Sequence, residues 1–171
     1  RQIGGLVGPP RGHGDEVVAG NSLFGGTYSL LRQTLGRCGI RTRFVEATAI
    51  EAYREAITDR TKLVLLETIG NPKVDVPDLA ALAAITRAQG VALVVDNTAA
   101  TPWLLQPKTV GADVVLHSAS KFISGHGQAI GGAIVDTGTF DWSGARYGHL
   151  AAWHKRAGNL AFLAYLRNQI C

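Results

Sequence analysis

Val91-Ala92-Leu93-Val94-Val95-Asp96 and Val114-Val115-Leu116-His117-Ser118-Ala119-Ser120-Lys121 are the two segments whose reading decides the fold. Neither apolar run alternates with polar residues, which is the pattern of strands covered on both faces by helices. Each run then meets polar residues abruptly. If the two strands are parallel, Asp96 and Lys121 both lie at the carboxyl edge of the sheet, where ligand crevices of open α/β sheets form.

Working outward, Glu16 to Ala19, Arg41 to Val45 and Leu63 to Leu66 read as further strands. In Arg41–Val45, Thr42 and Phe44 alternate with Arg41 and Arg43, which predicts a more exposed position in the sheet. Helical spacing of Leu30, Leu31 and Leu35 predicts a helix from about Thr27, ended by Gly36 and Gly39. Thr48 with Glu51 forms a capping-box pattern for a helix to about Thr58. Pro77 and Asp78 open a helix with Leu79, Leu82 and Ile85 on one face and Gly90 as its stop. Strands alternating with helices predict an α/β fold: a mainly parallel sheet with helices on both faces. Gly131 to Val135 is one more strand, and its short connection predicts an antiparallel run. Leu160 to Ile170 reads as helix. Arg1 to His13, rich in Gly and Pro, reads as an unassigned loop or disordered end.

The chain has 171 residues, enough for one domain with a substantial core. Its 46% hydrophobic and 18% charged residues argue for a globular protein rather than a disordered one. The net charge of +4 comes from scattered basic residues, with no nucleic-acid motif beside them. No apolar stretch approaches the ~20 residues that span a bilayer, and no signal-peptide pattern opens the chain. Cys38 and Cys171 have no metal or redox spacing, so reduced thiols in a cytoplasmic protein are the expectation. The five histidines make no metal set, and phosphate-loop, H-E-x-x-H and dinucleotide fingerprints are missing. The opening Arg1 and the lack of methionine point to a piece of a longer chain.

Lys121 carries the chemistry. A lysine at the end of a buried strand, in a pocket that disfavours its charge, suits a Schiff base, the alternative being a surface lysine. Ser118 and Ser120 add hydroxyl donors, and Gly125-His126-Gly127 lets backbone approach closely, so the turn can hold a phosphate beside the amine. Asp96 can pair with a protonated pyridine nitrogen and make the ring of pyridoxal 5'-phosphate an electron sink. Its other reading is an N-cap for residues 97–103.

Asp96-Asn97-Thr98-Ala99-Ala100-Thr101-Pro102-Trp103, Gly111-Ala112-Asp113 and His117-Ser118-Ala119-Ser120-Lys121-Phe122-Ile123-Ser124-Gly125-His126-Gly127 resemble the signature of the Cys/Met metabolism family of pyridoxal-phosphate enzymes. The resemblance runs in register from about Gly14 onward. It implies a fold-type I large domain over residues 14–171, incomplete before a carboxyl-terminal domain. It also implies that Lys121 is the cofactor-bearing acid/base, that Asp96 pairs with the ring nitrogen, and that Ser118 and Ser120 bind phosphate. Asn71 would lie near the phenolic oxygen. Phe24 falls where the family usually stacks a tyrosine, which keeps the stack and loses the hydroxyl. Ala99 and Trp103 stand where an aromatic pair is common.

Within the family, Gly125-His126-Gly127, Ile130 to Asp136 and Phe140-Asp141-Trp142 look most like the O-acetylhomoserine sulfhydrylase branch. That implies γ-replacement: loss of the α proton, departure of acetate, and addition of sulfide or a small thiol to give homocysteine. The partners implied are an amino-acid substrate and, at full length, further copies of the chain. A cystathionine γ-synthase or C–S lyase of the same family is the nearest alternative. A remnant that only binds cofactor or a partner subunit is another, and a nicotinamide-binding domain is made remote by the missing glycine fingerprint. Arg1 to His13 resembles neither the family's Gly-rich phosphate turn nor its Tyr/Arg pair. No residue matches the arginine that grips the substrate carboxylate, so little activity is expected of these residues alone.

Overall fold

The computed structural model describes residues 14–169. The expected loop over 1–13, Cys171 and the end of the last helix lie outside the described residues. Six strands, β1 (Glu16–Gly20), β2 (Arg41–Val45), β3 (Thr61–Glu67), β4 (Ala92–Asp96), β5 (Val114–His117) and β6 (Ala133–Asp136), form one sheet in the order β2-β1-β3-β4-β5-β6. The first five are parallel, and β6 runs antiparallel to β5, as the short connection predicted. β2 is the outer strand beside β1, in keeping with its alternating pattern.

Side-chain alternation along each strand feeds two cores. Val17, Ala19, Leu63, Leu65, Ala92, Val94 and Val114 face one layer, and Val18, Val64, Leu66, Leu93, Val95 and Val115 face the other. The first layer holds α1, which begins at Gly25–Ser29, passes through a π-helical turn at Leu30–Thr34 and ends at Leu35–Arg37. It also holds α5 (Ala151–Ala157) and α6 (Ala161–Gln169), whose Phe162 and Leu166 are buried there. The second layer holds α2 (Ile50–Ala56) and α3 (Leu79–Ala88). A short α4 (Thr101–Leu104) lies between β4 and β5.

Local rules decided some helix ends and not others. Asp78 caps α3, its Oδ1 accepting the Ala81 N–H at 3.0 Å. Thr48 does not cap α2: the chain turns first, with the Ala49 N–H on the Glu46 carbonyl, and the helix starts at Ile50 without a side-chain cap. α1 starts two residues before the expected Thr27, because the Phe24 carbonyl already accepts the Tyr28 N–H.

The amino-terminal edge is tied down by two side chains from one short segment. The Tyr147 hydroxyl donates to the Lys62 carbonyl at 2.8 Å and accepts the Ala92 N–H at 2.9 Å, bridging β3 and β4. Arg146 donates to the carbonyls of Thr58, Asp59 and Thr61. These bonds give partners to backbone groups at the starts of β3 and β4 and in the turn before β3. The opposite, carboxyl-terminal edge is the open one.

Candidate active site

Parallel pairing in register brings the strand ends together. Glu67, the last residue of β3, is the register partner of Asp96, the last of β4, and Asp96 in turn pairs with Leu116 of β5. A cavity of about 640 Å³ opens at this edge, and Phe24, Asn71, Asp96, Ser118, Ser120 and Lys121 all line it. These six residues were expected to meet, and they do. Trp103 is not among the lining residues and is 92% exposed, whereas Ala99 does line the wall.

Asp96 is half-buried and held by a relay. Its Oδ1 accepts the Thr98 N–H and hydroxyl, and the Thr98 Oγ1 accepts the Ser118 N–H at 2.7 Å. Thr98 therefore ties the end of β4 to the residue after β5. Among the described residues nothing bonds to Asp96 Oδ2, which leaves one carboxylate oxygen for a ligand. The capping alternative for Asp96 is corrected: α4 begins only at Thr101, and the fully buried Asn97 organises that turn by donating to the Thr101 and Leu105 carbonyls.

Lys121 follows the strand end on a turn closed by its own N–H on the Ser118 carbonyl. Its Nζ lies 5.9 Å from the centroid of the Phe24 ring, so the amine and the aromatic face look into the same space. The expectation of a pocket that disfavours the charge is corrected: Lys121 is exposed, as are its neighbours on the turn, Phe122 and Ile123. Gly125 and Gly127 both adopt positive φ, 84° and 67°, which the turn needs and L-residues rarely adopt. Of the two serines, Ser120 has its hydroxyl engaged with Gly131, accepting the N–H at 2.9 Å and donating to the carbonyl at 3.2 Å. The Ser118 hydroxyl bonds to none of the described residues. Asn71 lies on the loop after β3, exposed, on the cavity wall.

Sequence reasoning missed two residues here. Thr98 was marked only by its spacing from Asp96, the Asp-x-Thr pattern of a side-chain turn. Glu67, the polar residue just after the expected Leu63–Leu66 strand, belongs to no motif. It is half-buried beside Asp96 and accepts the Phe24 N–H at 2.6 Å. Burial pushes the Glu67 carboxyl up to about 7, the Phe24 bond opposes this, and the neighbouring Asp96 charge adds to it. At the end of β5, burial lowers His117, with the Asp96 charge acting the other way.

A carboxylate with a free oxygen, an amine, an aromatic face and a free hydroxyl around one cavity form a donor set that suits a phosphorylated pyridine carrying an aldehyde. Sheet order and edge cavity together define the large-domain fold of the fold-type I pyridoxal-phosphate enzymes. The chain belongs to the Cys/Met metabolism PLP-dependent enzyme family, whose model matches residues 11–161. It is 46% identical over 134 residues to the O-acetyl-L-homoserine sulfhydrylase of Leptospira meyeri, covering 78% of this chain and 30% of the relative. The solved O-acetylhomoserine sulfhydrylase of Wolinella succinogenes superposes with a TM-score of 0.85 at 40% identity, over 98% of this chain and 47% of that one. A Campylobacter jejuni structure carrying N'-pyridoxyl-lysine-5'-monophosphate matches with a TM-score of 0.75 at 34% identity, over 78% of this chain and 34% of that one. The chain thus spans between 30% and 47% of the length of these relatives. Among the described residues no helix is long and apolar enough to cross a membrane.

Proposed function

We propose that this chain forms the pyridoxal-phosphate-binding core of an O-acetylhomoserine sulfhydrylase, which exchanges the γ-acetoxy group of O-acetylhomoserine for sulfide or a small thiol. The observation that carries the reading is the meeting of Asp96 and Lys121 across one cavity with Phe24 beside the lysine amine. Bound there, the cofactor supplies an electron sink for the substrate α carbon.

The chain's own residues do the rest. Lys121 would hold the cofactor through its amine, and the same amine, when free, would take the substrate α proton and return it. Asp96 holds the ring-nitrogen proton on its free Oδ2, while the relay through Thr98 fixes the carboxylate's orientation. Phe24 offers a flat apolar face for stacking. Ser118 donates to the phosphate, and Ser120 shapes the same turn from its bonds to Gly131. Asn71, on the cavity wall, would lie near the phenolic oxygen. Acetate leaves with the electron pair of the Cγ–O bond, and sulfide adds at that carbon. Phe122 on the cavity wall and Ile130 nearby in the sequence are exposed apolar groups, which supports the reading that the full-length protein assembles with further copies of itself.

The test is chemical. Pyridoxal phosphate is added to the folded chain, borohydride reduces the adduct, and mass spectrometry maps it. Label on Lys121 is the expected result, and a folded chain without label there would overturn the reading. In the full-length protein, O-acetylhomoserine with sulfide should yield homocysteine, whereas turnover of cystathionine alone would mark a lyase.

A further inference from the structure

Glu67 stands outside the roles assigned above, yet it touches two of the residues that carry them. Its Oε1 accepts the Phe24 N–H at 2.6 Å, and it is the in-register neighbour of Asp96 on the adjacent strand. Both carboxyls line the same cavity. The segment that presents Phe24 is docked a second time next door: a Cβ on Gly70 would lie 2.3 Å from Ser22 Oγ, so the loop after β3 and the loop before α1 fit against each other without spare room. Among the described residues, the Phe24 amide is linked to the sheet edge by the Glu67 carboxyl.

Two carboxyls side by side in a half-buried setting do not both carry charge easily. Facing Glu67 are Asp96 from β4, His117 from the end of β5, and Lys121 from the turn beyond it. The α1 side contributes only Thr27 and Leu30 to the neighbouring cavity, and Glu46 and Lys73 pair with each other at 3.5 Å. Asp96 is therefore the negative group placed beside Glu67, and a cation seated on Asp96 would remove the repulsion. An ionised carboxyl is also the stronger hydrogen-bond acceptor for the Phe24 amide.

We propose that Glu67 is a positioning residue for this site: its carboxyl group holds the Phe24 amide, and it releases its proton to solvent when a pyridinium is seated against Asp96, so that filling the site tightens the aromatic face over it. The hold on Phe24 stands on the hydrogen bond alone, and the proton link rests on the cofactor reading proposed above. Glu67 thereby couples the charge state of the ring-nitrogen partner to the placement of the stacking residue.

Nuclear magnetic resonance of the ¹⁵N-labelled chain tests both parts. In the wild type without ligand, the Phe24 amide resonance should follow one titration near neutral pH. Glu67→Gln keeps the acceptor and the shape, so that resonance should become flat with pH while remaining protected from exchange. Glu67→Ala should exchange the Phe24 amide about tenfold faster, the order expected for one lost hydrogen bond. Pyridoxine 5'-phosphate has the ring and phosphate but no aldehyde to react with Lys121. At saturation it should lower the wild-type midpoint by about one pH unit or more and leave Glu67→Gln unmoved. A wild-type Phe24 amide that ignores pH, or titrates unchanged in Glu67→Gln, overturns the hold. Saturation without a shift in midpoint overturns the proton link alone. Failure of pyridoxine phosphate to bind the folded chain overturns the cofactor reading and the link with it, while the ligand-free titration still judges the hold.

Discussion

Replacing Tyr147 with phenylalanine removes one oxygen and two hydrogen bonds from the interior. Tyr147 is 1% exposed, and its ring packs against Phe140 and Trp142 at centroid distances of 5.2 Å. Phenylalanine keeps that packing, so the loss is confined to the Ala92 N–H and the Lys62 carbonyl. A buried polar group left without a partner costs about 1–3 kcal/mol. The Ala92 amide belongs at the upper end because Ala92 is fully buried, and the carbonyl at the lower end because Lys62 is only half-buried. The sum is about 3–4 kcal/mol, a large share of the ~5–15 kcal/mol that holds an ordinary domain. Urea unfolding followed by tryptophan fluorescence is the assay. With a slope of about 2 kcal/mol per molar, the midpoint should fall by roughly 1.5–2 M at unchanged slope. Because the tie sits at the edge opposite the cavity, Tyr147→Phe should still accept borohydride label on Lys121 without urea. A loss below about 0.5 kcal/mol would refute the reasoning, since it would mean that water reaches both groups.

Three other outcomes are expected. Gly70→Ala forces a Cβ into Ser22, 2.3 Å from its Oγ, and should lower stability by about 1–3 kcal/mol in thermal unfolding; no measurable loss would show that the two loops separate freely. Asp113 is held up to about 6, chiefly by burial, so the folded chain binds its proton more tightly than the unfolded chain does; its stabilising contribution is complete below its ordinary value of 3.8 and is lost as pH rises through about 6. Asp113→Asn should therefore gain on the wild type between pH 4 and 8 by up to about 3 kcal/mol, and a difference in stability independent of pH would contradict this. Asp96→Asn keeps the shape that Thr98 binds and loses the charge, so affinity for pyridoxal phosphate, read by absorbance, should fall about 10- to 100-fold, whereas unchanged affinity would remove Asp96 from the ring nitrogen.

The strands were legible because their cause is local: a run such as Val91 to Val95 has no polar phase, and only a strand covered twice can bury it. Asp78 was legible for the same reason, since a cap needs only the next three residues. Thr48 carried an equally good pattern and failed, because the turn from Glu46 to Ala49 set the direction of the chain before the side chain could act. For the site, residue types and their order along the chain pointed to the lining of the cavity. Exposure of Lys121 was not legible, because it depends on what stands over the turn rather than on the turn itself.

Glu67 shows where the boundary lies. A glutamate ending an apolar run reads as the point where a strand reaches solvent, and nothing in Leu63-Val64-Leu65-Leu66-Glu67 says otherwise. Its meaning arises from register: Leu63 opposite Ala92 and three further pairs in step deliver Glu67 opposite Asp96, so one acid cannot be placed without the other. A slip of one residue would turn every side chain of β3 to the opposite layer, exchanging Leu63 and Leu65 for Val64 and Leu66. The cores on both faces therefore fix the pairing of the two acids. The chemistry at the edge inherits its geometry from apolar packing some residues away, and the acid that ends β3 is tied to Phe24 only because that packing leaves it there.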